Sequence, residues 1–172
     1  MALRGFFQNA YVTRNLDRAV ALWSSTLGCG GFAAMDFELC LRTAQGDRPV
    51  QLRVATAWIG ALQVELIEPV SGHVAPYLQG LPADRTDFVP RFHHVAVRRE
   101  DAGALRREVA ALGLPIVFET SGNGIASTLV DASARLGHPI EFVCADAAGW
   151  ELLGWPTSRK IAKERFHDGH FD

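Results

Sequence analysis

Phe92-His93-His94-Val95-Ala96-Val97 is a short, apolar, alternating stretch, the pattern of a β-strand. The period of two predicts opposite faces for the adjacent histidines, one packing under a helix and the other pointing into a cleft. Seven residues after His94, Asp101 opens a helical pattern. The start of the chain has the same layout. Gln8 opens Gln8-Asn9-Ala10-Tyr11-Val12, and seven residues on, Asn15 starts a helical pattern. The correspondence implies a chain built twice from one plan.

Working outward, each half reads as one strand, one helix and three strands. In the first half a strand at 6–12 precedes a helix capped by Asn15 or Asp17, with Leu16, Val20, Trp23 and Leu27 as its apolar stripe. Strands follow at 32–41, 49–58 and 62–67. In the second half the strand at 92–97 precedes a helix capped by Asp101 with the stripe Leu105, Val109 and Leu112. Strands follow at 116–119, 125–130 and 139–143. Between the halves, Pro69, Pro76, Pro82 and Pro90 mark a linker with at most one helical turn near Tyr77, and its length suits a cover.

The expected organisation is one domain over 1–146, with module one at 5–68, the linker at 69–91 and module two at 92–146. An extension at 147–172 has no counterpart in either half. Pro156 can open a short helix there running to about Phe166, and Trp150, Trp155 and Phe166 are anchors for docking on the core or on a second subunit.

The 172 residues are 48% hydrophobic and 21% charged, an ordinary soluble composition. A formal net charge of −2 gives no attraction to nucleic acid or to an acidic membrane surface. No apolar run is long enough to span a bilayer, and Met1-Ala2-Leu3-Arg4 lacks the apolar segment of a signal peptide. Cys29, Cys40 and Cys144 are odd in number and widely spaced. They suit a reducing cytoplasm, and each reads as a small buried hydrophobe.

Strand parity gives the sharpest functional clue. In Leu62-Gln63-Val64-Glu65-Leu66-Ile67, Val64 and Leu66 face one way and Glu65 the other; in Ile140-Glu141-Phe142, Glu141 is the odd one out. Each fourth strand therefore has an apolar face for its helix and a carboxylate on the opposite face. A carboxylate buried there without a partner costs several kcal/mol or takes a proton, and a cation removes that penalty. Gln8 and His94, at equivalent places on the first strands, supply two more ligand atoms. The set suits one divalent ion of Zn, Ni, Co, Mn or Fe.

Layout and residues together resemble the vicinal oxygen chelate superfamily, which includes lactoylglutathione lyases, methylmalonyl-CoA epimerases, extradiol dioxygenases and bleomycin-binding proteins. The resemblance spans about residues 5 to 146, and Glu65-Leu66-Ile67-Glu68-Pro69 with His93-His94-Val95-Ala96 looks most like the epimerase-like branch. It implies an α+β fold of two βαβββ modules around a metal-containing cleft, with Gln8, Glu65, His94 and Glu141 as ligands. Gln8 stands where an epimerase usually carries His, and the order Gln, Glu, His, Glu is similar to some lactoylglutathione lyases. The implied chemistry is an isomerisation, epimerisation or lyase reaction through an enolate of a small oxygenated substrate. Glu141 first and Glu65 second are the candidate bases. A homodimer is also implied. The competing reading is a non-catalytic binding protein of the bleomycin-sequestering type.

Other residues complete the expected site. Gln51 and Arg53 share a face of the third strand, which would make its cleft side polar and let Arg53 hold a substrate carboxylate or phosphate. His73 in the linker and His138 beside the last strand are candidate substrate contacts, and Phe37, Trp58 and Phe118 are candidate pocket walls. His93 is expected to face the helix, and His167 and His170 read as a frayed end without metal.

Overall fold

A computed structural model describes residues 4–155. In chain order the elements are β1 (Phe6–Val12), α1 (Leu16–Leu27), β2 (Ala33–Thr43), β3 (Gly46–Ile59), β4 (Leu62–Gly72) and α2 (Ala75–Leu78). There follow β5 (Arg91–Arg99), α3 (Ala102–Leu112), β6 (Ile116–Gly122), β7 (Ile125–Val130), α4 (Ser133–Leu136), β8 (Ile140–Ala145) and α5 (Ala147–Leu152). The helix expected to start at Pro156, with Phe166, His167 and His170, lies outside the described residues.

The two long helices begin and end where local chemistry says they should. The Asn15 side chain accepts the Arg18 N–H at 3.0 Å, and Asp101 accepts the Ala104 N–H at 2.6 Å. Gly28 and Gly113, both left-handed, end the two helices. Leu16 and Ala19 of α1 pack on Val64 and Leu66 of β4, and Leu105 and Val109 of α3 pack on Ile140 and Phe142 of β8. Leu27 does not join the α1 stripe; it lies 62% exposed in the last turn.

All eight strands form one closed barrel within the single chain, in the order β1-β4-β3-β2-β6-β7-β8-β5. In each half the first strand runs parallel to the fourth, and β1 and β5 meet antiparallel at the centre. The opposite seam is thin: β2 and β6 share one registered pair, Arg42 with Glu119. Among the described residues no helix is long and apolar enough to cross a membrane.

Several details depart from the sequence reading. β4 continues through Pro69 to Gly72, because a register shift opposite Gln51 and Leu52 accommodates a residue with no N–H to give. Cys29 and Cys144 are buried, but Cys40 is exposed on β2. Gln51 and Arg53 point away from the interior, where their strand neighbours Leu52 and Val54 join the core. The start of the extension docks on the core. Trp150 packs with Phe7, Ala96 and Val143 at one end of the barrel, and Trp155 adds its ring edge to Phe7 and Trp58.

Candidate active site

Two bulges on the central strand pair build the site. Along β1 and β5 the pairing steps from Phe6–Val97 to Gln8–Ala96, leaving Phe7 unpaired, and from Ala10–His94 to Tyr11–Phe92, leaving His93 unpaired. Each bulge suspends the alternation of faces for one residue. Phe6 and Phe92 remain outside at 48% and 43% exposure, while the pairs Phe7-Gln8 and His93-His94 are all buried. His93 therefore does not face α3, as strict alternation predicts. Its ring stacks on Tyr77 of α2, with centroids 5.6 Å apart, and its Nε2 lies 2.8 Å from the Pro76 carbonyl oxygen.

Gln8, Glu65, His94 and Glu141 line one cavity of about 380 Å³. His94 Nε2 is buried, 3.3 Å from Glu141 Oε2 and 3.9 Å from Glu65 Oε2, and makes no hydrogen bond of good geometry. His94 Nδ1 lies 2.7 Å from His93 Nδ1. The Gln8 amide nitrogen donates to Gln63 Oε1 at 2.7 Å, and the Gln63 nitrogen donates to the Leu153 carbonyl at 2.6 Å.

Burial and mutual charge set the protonation of this group. Burial raises the Glu65 carboxyl to about 7, with His94 opposing and Glu141 adding to the rise. For Glu141 burial pushes upward too, but His94 outweighs it and holds the carboxyl below its ordinary value, with Ser127 assisting. Burial alone would lower His94; the two carboxylates reverse the sign and raise it. Burial, then the neighbouring His94, lowers His93 to about 4, so its ring is neutral at ordinary pH. Tyr77, raised well above 10 by burial and by both glutamates, keeps its hydroxyl proton.

An imidazole nitrogen, two carboxylates and an amide oxygen fit a divalent ion of borderline hardness. The orphaned His94 Nε2 facing two acids is the feature a cation would satisfy. As the side chains stand, no three His, Cys, Asp or Glu residues among the described ones are gathered into a finished metal site, and Glu65 is the more distant from His94.

The remaining expected contacts separate. Phe37 and Phe118 line the cavity, whereas Trp58 packs on Phe7 and Trp155. Arg53 is on the outer face, in ion pairs with Asp17 at 2.9 Å, Glu68 at 3.2 Å and Asp36 at 3.6 Å. The structure does not bring His73 to the cavity; its backbone N–H bonds the Pro49 carbonyl. Nor does it bring His138, whose Nδ1 lies 2.8 Å from the Pro139 oxygen and whose ring meets Phe92 edge-on. Two residues escaped the sequence reading. Gln63 shares the parity of Glu65, so a buried amide beside the site was legible. Tyr77 is the one aromatic next to a helix-starting proline in the linker, a signal of anchoring that the reading left without a role.

Comparison with known proteins agrees with this architecture. The sequence profile described as the Glyoxalase/Bleomycin resistance protein/Dioxygenase superfamily matches residues 7–130. None of the curated proteins matches the chain by sequence. Among solved structures, methylmalonyl-CoA epimerase from Mycobacterium tuberculosis is similar at 19% identity and a TM-score of 0.53, covering 87% of this chain and 91% of that one. A Streptomyces coelicolor methylmalonyl-CoA epimerase in complex with 2-nitronate-propionyl-CoA gives 20% identity and 0.56, covering 84% and 96%. A hypothetical protein from Bacillus halodurans gives 18% and 0.54, covering 82% and 94%.

Proposed function

Because the chain belongs to the glyoxalase/bleomycin resistance protein/dioxygenase superfamily, we propose that it is a divalent-metal-dependent isomerase or epimerase acting through an enolate. The observation that carries the proposal is the buried His94 Nε2, without a hydrogen bond, between the Glu65 and Glu141 carboxyls in an apolar cavity. Gln8, Glu65, His94 and Glu141 would hold the metal, which supplies Lewis-acid stabilisation of negative charge on substrate oxygens. The two carboxyls are set for proton traffic. Glu141 first, and Glu65 second, would be the carboxylate that takes a proton from a carbon next to a carbonyl and then returns it. The shared fold of the epimerases favours isomerisation over elimination.

Cavity chemistry narrows the substrate. Phe37, Leu39, Leu52, Val54, Ile67 and Phe118 give it apolar walls, Glu38, Thr120, Ser121, Asn123 and Ser127 add polar groups, and no Lys or Arg among the described residues lines it. A phosphate or remote carboxylate of the substrate therefore meets no cationic side chain inside and is left outside.

The test is elemental analysis after reconstitution with Zn²⁺, Ni²⁺, Co²⁺ and Mn²⁺, alongside the His94→Ala and Glu141→Ala variants. About one metal per chain in the wild type, lost in both variants, is expected. Exchange of an α-proton in D₂O by candidate α-carbonyl compounds is expected only with the loaded wild type. A wild type that takes up no metal overturns the mechanism. A loaded protein that binds such compounds without exchange points to a binding protein.

A further inference from the structure

We propose, resting on the metal reading of the cavity, that Gln63 and His93 are positioning residues that fix the donor and acceptor sense of Gln8 and His94. Each is anchored by a backbone carbonyl from outside the repeat. A carbonyl oxygen only accepts hydrogen bonds. The Leu153 carbonyl therefore claims the amide nitrogen of Gln63, 2.6 Å away, and turns Gln63 Oε1 toward Gln8. That oxygen takes the Gln8 amide nitrogen at 2.7 Å, which leaves Gln8 Oε1 for the cavity. The two ends of an amide resemble each other in shape, but the acceptor at the root of the chain decides which is which.

The second relay runs the same way. The Pro76 carbonyl lies 2.8 Å from His93 Nε2, so that nitrogen carries the hydrogen. With its hydrogen on Nε2, His93 is left to accept at Nδ1, and the partner 2.7 Å away, His94 Nδ1, donates. His94 Nε2, turned toward Glu65 and Glu141, is left as the nitrogen whose lone pair a metal would take. Two independent relays, one from the linker and one from the extension, thus end in the same result. At equivalent positions of the two modules, a lone pair is presented to the cavity. A role confined to filling buried polar valences would not require both to deliver the same sense.

The experiment measures Co²⁺ affinity and the visible ligand-field spectrum of the folded wild type, Gln63→Met, His93→Phe and His93→Gln proteins. Met and Phe keep volume and remove the relay. Gln at position 93 restores it, because its amide oxygen can accept from His94 and its nitrogen can donate to Pro76. Removing a group that orients a metal ligand typically costs about 10–100-fold in affinity. Loss on that scale with a shifted spectrum in Gln63→Met and His93→Phe, recovered in His93→Gln, is expected. Wild-type affinity and spectrum in Gln63→Met and His93→Phe overturn the proposal. If the wild type takes up no Co²⁺, the metal reading fails, and the relay is judged on imidazole ¹⁵N spectra of the metal-free wild type. A hydrogen on His93 Nε2 and none on its Nδ1 supports it; the reverse overturns it.

Discussion

Glu65 sits in the middle of a barrel strand and holds a proton up to about 7, because burial disfavours its charge and Glu141 repels it. In the unfolded chain the same group ionises near 4.5. Between these values the folded state binds more protons than the unfolded one, so the stability contributed by this group falls as pH rises and levels off above about 7. Gln at this position has the shape without the charge. In metal-free protein the melting temperature of Glu65→Gln relative to wild type is therefore expected to rise from pH 4.5 to 7 and then stay flat; a difference independent of pH would contradict the assignment. Saturating Zn²⁺ should stabilise the wild type most at high pH, where the carboxylate is free, and the variant less. This residue is legible in the sequence, since parity alone puts a carboxylate opposite the helix-packing face. Arg53 is not. Parity gives it a face shared with Gln51 but cannot say which face looks inward, and the three acids around it lie far apart in sequence.

At the scale of elements, the strand and helix pattern of both halves could be read from periodicity and caps, but the two bulges could not. A bulge shows only in pairing with another strand, and the pairing of β1 with β5 brings together segments about half the chain apart. The consequence reached the site directly: His93, assigned to the outer face by alternation, became the inner neighbour of His94. For α5 the sequence offers the anchors Trp150 and Trp155 but not the surface they pack on, because the 147–155 segment has no repeat to compare with. Its fit is tight. A Cβ on Gly149 would stand 2.8 Å from the Gly124 carbonyl oxygen and 2.9 Å from the Ile125 side chain. Gly149→Ala is expected to lift α5 from the turn between β6 and β7 at a cost of about 1–3 kcal/mol, the usual range for overpacking. Denaturant titration gives the loss, and a red shift of tryptophan emission reports that Trp150 has become wetter. Gly30→Ala is the control, since nothing lies within 4 Å of its added carbon. Equal stability of the two variants would mean that the helix is not seated as described.

For the whole molecule, the internal repeat said that two similar modules exist but not which of their edges meet. Both first strands and both second strands offer free edges, and hydrophobic patterning does not rank them. The structure uses both seams unequally. β1 and β5 pair along their length, while β2 and β6 touch at Arg42 and Glu119. Residues of both strands at the thin seam line the cavity. Phe37, Glu38, Leu39 and Cys40 line it in succession, inward and outward residues together, as do Thr120, Ser121 and Gly122 of β6. Backbone groups along this seam lack partners from the facing strand, so opening it breaks few hydrogen bonds. Amide exchange followed by mass spectrometry is therefore expected to be faster in peptides covering 33–43 and 116–122 than in those covering 6–12 and 91–99. A ligand seated against Phe37 and Phe118 bridges the seam and should slow exchange there while leaving the central pair unchanged. Uniform protection around the barrel, with or without ligand, would mean that the seam is sealed and that substrate enters from one end of the barrel, past α2 or α5.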